Sequence, residues 1–172
     1  AVQETLAMAA LRVENTRLKT IVPLYKLGEK FNAATSLQEV YELLLDAINL
    51  QINVPSMSLM MFVEEDSCLY IVASKGIDKD VAASVAVKSG EEIAGWVFEH
   101  GEPVILNKLT QGQSPLAKYL KREDIAASIS YPLIGRDRVL GVLNISHTAR
   151  GVTYSQSDIE LLSVICGQAV MA

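Results

Sequence analysis

The side chains able to do chemistry in this chain are few and far apart. There are two cysteines, Cys68 and Cys166, and two histidines, His100 and His147, in 172 residues. A Ser-His-acid or Cys-His system needs a base beside a nucleophile and an orienting carboxylate. His100 falls at the end of a helical pattern, where a cation complements the dipole, and His147 closes a strand pattern. Cys68 opens a strand-like run and Cys166 sits on the apolar stripe of a helix, so both read as packed thiols. No basic neighbour is placed to activate Cys166. The pair forms neither a disulfide framework nor a metal cluster. The acidic run Glu64, Glu65, Asp66 lacks the ligand repeat of a calcium loop and reads as a solvated turn. Gly90 and Gly95 follow neither phosphate-loop spacing, and no second ligand accompanies either histidine to hold a haem or a metal. The chemistry on offer is recognition.

Composition narrows the class. Half the residues are hydrophobic, a fifth are charged and the net charge is −5, which suits one domain with a sizeable core. The fifteen Lys and Arg are dispersed and form no stripe to neutralise a phosphate backbone, which excludes the usual nucleic-acid binder. No apolar run approaches the ~18 residues of a membrane span, and the amino end lacks the basic-then-apolar layout of a secretion signal. A reduced, cytoplasmic setting follows as the expectation. The chain begins without methionine and ends inside a helical pattern, which suggests a module of a longer protein with a covalently linked effector.

The elements that position these residues are read from periodicity. Ser89 to Val104, SGEEIAGWVFEHGEPV, predicts a short helix: Glu91 and Glu92 suit its positive end, Ile93, Trp96 and Val97 share one face, and Gly101 and Pro103 stop it. Val104 to Leu106 then reads as a strand. Earlier, Thr5 to about Thr35 is helical with two stripes. Met8, Leu11, Asn15, Leu18, Val22 and Tyr25 form a heptad-like seam with a polar Asn at a core position, the pattern of a parallel two-stranded coil. Leu24, Leu27, Phe31 and Ala34 form a docking face, and Pro23 stands where the stripes change over. Ser36 with Glu39 marks a second helix that buries Leu37, Val40, Leu44, Ala47 and Ile48.

Met57–Val63 and Cys68–Ala73 read as a hairpin across the acidic turn, and Ser84–Lys88 as a short third strand. Pro115 starts a short helix with Leu116, Tyr119 and Leu120 inward. Ala127–Ile134 and Val139–Ser146 form the strongest strand pair, and the second is apolar on both faces, as a central strand must be. Gly141 inside it marks a close backbone approach. Ser155 with Asp158 starts a last helix that buries Ile159, Leu162, Ile165, Cys166 and Ala169. The fold class is α+β, an antiparallel sheet covered by helices.

Three segments, SGEEIAGWVFEHGEPVIL, SISYPLIGRDRVLGVLNIS and YSQSDIELLSVICGQAV, taken together and in this order, resemble the GAF domain family of small-molecule sensors in bacterial signalling proteins. The resemblance implies a central antiparallel sheet of about six strands, with helices on one side and a short-helix and loop roof over a pocket on the other. It implies a sensor domain over residues 24–172, preceded by a signalling or coiled-coil helix over residues 1–23. It also implies pocket residues: Leu59 and Met61 on the first strand, Ile93 and Ala94 on the short helix, Tyr119 on the roof and Ser130 on the fifth strand. The partners implied are an unidentified small molecule and, through the seam and last helix, a second copy.

Particular family chemistries are disfavoured. Cyclic-nucleotide binders carry an Asn-Lys pair after the last strand and a Phe, three residues, Asp-Glu at the final helix; here His147-Thr148, Tyr154 and Asp158-Ile159 stand there, and Asn107-Lys108 lies after an earlier strand. Bilin binders use a cysteine followed by histidine, whereas Leu69 and Gly167 follow the cysteines. The expected function is a cytoplasmic, non-enzymatic sensor that relays ligand state through the terminal helices of a dimer. The alternatives are a ligand-free dimerising spacer and a thiol-dependent free methionine sulfoxide reductase.

Overall fold

The structure is a computed structural model describing residues 2–108, 114–120 and 122–172, with the side chains of 13–22 left aside. In chain order it contains α1 (Val2–Ala33), α2 (Leu37–Ile52), β1 (Ser56–Val63), β2 (Cys68–Lys75), α3 (Lys79–Ser84), β3 (Ala86–Lys88), α4 (Glu92–His100), β4 (Val104–Asn107), a 3-10 turn (Pro115–Tyr119), β5 (Ala127–Ile134), β6 (Val139–His147) and α5 (Gln156–Met171). The strands form one six-stranded sheet in the order β3-β2-β1-β6-β5-β4. Every neighbouring pair is antiparallel.

β6 lies near the centre, as its two apolar faces require. Leu143 and Ile145 enter one core, Val142 another. Gly141 permits this packing, because a Cβ there would run into the Met60 carbonyl oxygen of β1. The first core lies between the sheet and α1, α2 and α5. It buries Phe31 of α1, Leu44, Leu45, Ala47 and Ile48 of α2, and the whole expected α5 stripe of Ile159, Leu162, Ile165, Cys166 and Ala169. Leu37 departs from its expected burial: at the first turn of α2 it is 70% exposed. Leu27 packs against this core beside Phe31.

The helix ends follow local chemistry. The α5 capping box forms as its spacing implies, with Asp158 accepting from the Ser155 N–H at 2.8 Å. At α2 the Ser36 hydroxyl accepts from the Glu39 N–H at 3.2 Å, but the Glu39 carboxylate reaches back to the Thr35 N–H at 2.8 Å, one residue earlier than a standard box. α1 runs unbroken through Pro23. The apolar spacing did not foresee α3. Its signal is Asp78, whose carboxylate accepts from the Asp80 and Val81 N–H groups at 2.9 and 3.2 Å. α4 begins and ends as expected, with Gly101 closing it in a left-handed conformation at φ 66°. Gly95 is required by contact: a Cβ there would meet the Lys88 carbonyl oxygen of β3, so α4 lies directly on the sheet edge.

Candidate functional site

Strand alternation divides the sheet into two unlike faces. The helix-side face carries Met57, Leu59, Ile129, Leu143 and Ile145, all buried. The opposite face carries Met60, Leu69, Val87, Val104, Leu106 and Val142, covered by Ala94 and Val97 of α4 and flanked by Leu116 and Leu120 around the 3-10 turn. α4 is fastened there by Phe98, which stacks on Phe62 of β1 with ring centroids 4.3 Å apart.

A polar row crosses this second face. Ser58 of β1 lies opposite Ser74 of β2 and Asn144 of β6, and Asn144 lies opposite Ser130 of β5. The Ser130 hydroxyl donates to Asn144 Oδ1 at 2.7 Å, and Asn144 Nδ2 donates to the Ser58 hydroxyl at 3.4 Å. Ser58 and Ser130 are buried polar residues, 6% and 7% exposed. A second row of Ser56, Ser146 and Ser128 runs beside it on the same three strands. Buried hydroxyl and amide groups demand partners. This patch offers rotatable donors and acceptors within an otherwise apolar face, the composition of a small-molecule site.

Ser130 is one of the sequence-derived candidates, and the structure brings it to the same face as Ala94, which is buried, and Ile93, which packs against the same cluster. Tyr119 is half-buried on the 3-10 turn, with the Lys118 ammonium 5.0 Å from its ring centre. Leu59 requires correction: it is fully buried on the helix side, on the face away from Ser130. Met61, paired with Gly141, shares its parity. Ser58 and Met60 are the β1 residues that face the site. Reading Met57–Val63 as one apolar run left its phase undefined, and Ser58 is the residue that sets it. Asn144 was likewise legible as the polar residue inside an apolar central strand.

The other chemically capable residues have structural partners. His100 Nδ1 lies 2.9 Å from the Trp96 carbonyl oxygen, and its ring stacks on Trp96 at 4.1 Å. His147 Nδ1 accepts from the Ala149 N–H at 3.1 Å. Both cysteines are free and buried; burial pushes the Cys166 thiol up to about 12, leaving it protonated and unreactive at neutral pH. Glu64 of the acidic turn pairs with Arg138, and Asp66 accepts from the Tyr70 hydroxyl at 3.0 Å. Asn107 clamps the chain entering α5: its amide donates to the Tyr154 carbonyl at 3.0 Å and accepts from the Tyr154 N–H at 2.9 Å. Burial, then the Asp158 charge, raises the Tyr154 phenol to about 12.

Among the seam residues, Met8, Leu11 and Tyr25 are exposed, whereas the side chains of Asn15, Leu18 and Val22 lie outside the described residues.

The fold is an α+β module built on a six-stranded antiparallel sheet. The chain belongs to the GAF domain family, whose profile matches residues 34–172. It is similar to the Nif-specific regulatory protein of Azospirillum lipoferum, with 25% identity over 94% of this chain and 27% of that protein. It is also similar to the phosphoenolpyruvate-dependent phosphotransferase system protein of Salmonella typhimurium, with 31% identity over 70% of this chain and 16% of that protein. The chain therefore spans about a quarter or less of the curated relatives it matches. In fold it resembles the GAF domain of an Acinetobacter phosphoenolpyruvate-protein phosphotransferase, with TM-score 0.75, 23% identity, and 91% and 92% of the two chains covered. A free methionine-R-sulfoxide reductase of Neisseria meningitidis has the same fold at TM-score 0.70 and 13% identity, covering 86% and 84%. The family and the relatives place the chain among sensory and regulatory domains. Among the described residues, no helix is long and apolar enough to cross a membrane.

Proposed function

We propose that this domain is the cytoplasmic sensor of a signal-transduction protein. It binds a small molecule on the second face of the sheet and relays the bound state through α1 and α5 of a homodimer to a linked effector. The observation that carries this reading is the Ser58–Asn144–Ser130 row, a set of polar groups on the sheet face that also carries the apolar cluster under α4. Ser130, Ile93 and Ala94 remain the recognition candidates, with Tyr119 at the roof and Ser58, Met60 and Asn144 replacing Leu59 and Met61. The mechanism is a population shift: a ligand changes the helix arrangement to the extent that it binds one arrangement better. The exposed Met8, Leu11 and Tyr25 support a partner helix along α1.

The reading treats the domain as non-enzymatic, supported by the two packed thiols. A thermal-shift screen of metabolites and nucleotides tests ligand binding. A true ligand at a hundred times its dissociation constant stabilises the fold by about 2.7 kcal/mol, and Asn144→Ala removes that gain. Sedimentation at micromolar concentration tests the dimer, and a monomer throughout would contradict the seam. Turnover of free methionine sulfoxide that is lost in Cys68→Ser or Cys166→Ser would reverse the non-enzymatic reading.

One observation favours the ligand-free spacer: the polar row closes its hydrogen bonds on itself. Under that reading no screened compound stabilises the protein, and Asn144→Ala lowers stability without any other effect.

A further inference from the structure

A concave site lies at the end of the sheet where β4, β5 and β6 meet the segment leading into α5. Lys108, Asp124, Ala126, Thr148, Arg150, Gly151, Val152 and Thr153 line a cleft of about 560 Å³, within the range of small-molecule sites. Its frame is tied together by backbone bonds: the Lys108 N–H donates to the Ala126 carbonyl and the Ala126 N–H to the His147 carbonyl, both at 2.8 Å. Ala126 is buried and Val152 is half-buried against the helix-side core, so the cleft has an apolar wall on a rigid base.

The charge in the cleft runs against that of the chain. The protein carries −5 overall, yet the cleft holds two cations, Lys108 and Arg150, and one acid. That acid, Asp124, is already taken: Arg122 Nε donates to one of its oxygens at 3.0 Å and Nη2 to the other. The Arg122 contact, with Lys108 adding to it, holds the Asp124 carboxyl below its usual range, so it remains ionised and paired. Lys108 Nζ reaches a backbone carbonyl, Glu123, at 3.3 Å. Arg150 has no ion pair among the described residues. Arg150, which meets no acid among the described residues, Lys108, which shares Asp124 with Arg122, the hydroxyls of Thr148 and Thr153, and an apolar wall together suit a charge-assisted contact to an anion.

We infer that this cleft binds a small organic anion, a carboxylate or phosphate monoester with an apolar body, separately from the ligand face beneath α4. The inference goes beyond the sensor reading and does not depend on it. Position gives the cleft a use: its wall, residues 148–153, runs directly into Tyr154, which Asn107 clamps, and then into α5. An occupant that draws Lys108 and Arg150 together therefore acts on the segment that sets the start of α5.

Amide chemical shifts test this at constant ionic strength, with phenyl phosphate and benzoate as anionic probes and benzyl alcohol as their neutral counterpart. The inference predicts saturable shifts at the Lys108, Gly151 and Thr153 amides with at least one anion and none with the alcohol. The stronger anion distinguishes a phosphate from a carboxylate site. Arg150→Gln and Lys108→Gln, both at exposed positions, each weaken the response about tenfold, with spectral dispersion reporting that the fold is retained. Ser130→Ala leaves the cleft response intact, which separates failure here from failure of the sensor reading. Absence of saturation with both anions, an equal response to the alcohol, or undiminished binding in both glutamine variants would overturn the inference.

Discussion

The two faces of the sheet use the same strands for different purposes. On the helix side, side chains from α1, α2 and α5 interlock with Met57, Leu59, Leu143 and Ile145 in a continuous apolar core. On the other side a smaller apolar cluster is interrupted by Ser58, Asn144 and Ser130. A serine or asparagine in a buried strand forgoes apolar burial worth ~25 cal/mol per Å² and must be satisfied by hydrogen bonds. That sacrifice made on one face alone distinguishes the face that holds the fold from the face available for recognition.

The largest effect should come from the helix side. Leu162→Ala empties a fully buried position and is expected to destabilise by about 2–5 kcal/mol in urea unfolding. Leu116→Ala, half-buried on the other face, should cost about 1 kcal/mol or less. Equal losses would erase the distinction. Asn107→Ala breaks both bonds of the clamp on Tyr154 and is expected to destabilise by about 1–3 kcal/mol, with the amides at the start of α5 exchanging faster with solvent.

The pH dependence at the alkaline end should also come from the helix side. Burial raises the Cys166 thiol from 9.0 to about 12 and the Tyr154 phenol from 10.0 to about 12. Above pH 9 the unfolded thiol loses its proton while the folded one keeps it. The unfolded state then binds fewer protons, so stability falls as pH rises from about 9 towards 12 and is unaffected below. The thiol contributes at most ~1.4 kcal/mol per pH unit. Urea midpoints measured across this range should fall less steeply in Cys166→Ala, with the Tyr154 contribution above pH 10 remaining. The smallest effect belongs to Ser130→Ala: about 1 kcal/mol or less in the free protein, with a larger loss in ligand affinity than in stability.

Much of this architecture was legible in advance because its signals are local. The α5 stripe, the Ser155–Asp158 box, the Gly101 stop and the Gly141 close approach all follow from spacing or from a single residue's sterics, and each appears where expected. The site was less legible. An unbroken apolar run such as Met57–Val63 conceals which residues face which side, so its spacing alone does not show that Leu59 faces the helices and Ser58 the opposite side. Asn144 meets Ser130 across a strand pair and Ser58 across another 86 residues away, and such contacts exist only once register is set. α3 was missed for a different reason: six residues are too few for periodicity to speak, and its cap is the sole local mark.

Native mass spectrometry of the freshly purified domain and of Asn144→Leu, before and after exposure to a metabolite extract, tests the division of the sheet most directly. The sensor reading predicts one bound small molecule per wild-type chain and none on Asn144→Leu, with circular dichroism unchanged between them. A wild-type chain that stays bare under every condition, or a folded Asn144→Leu that retains the bound mass, would contradict it.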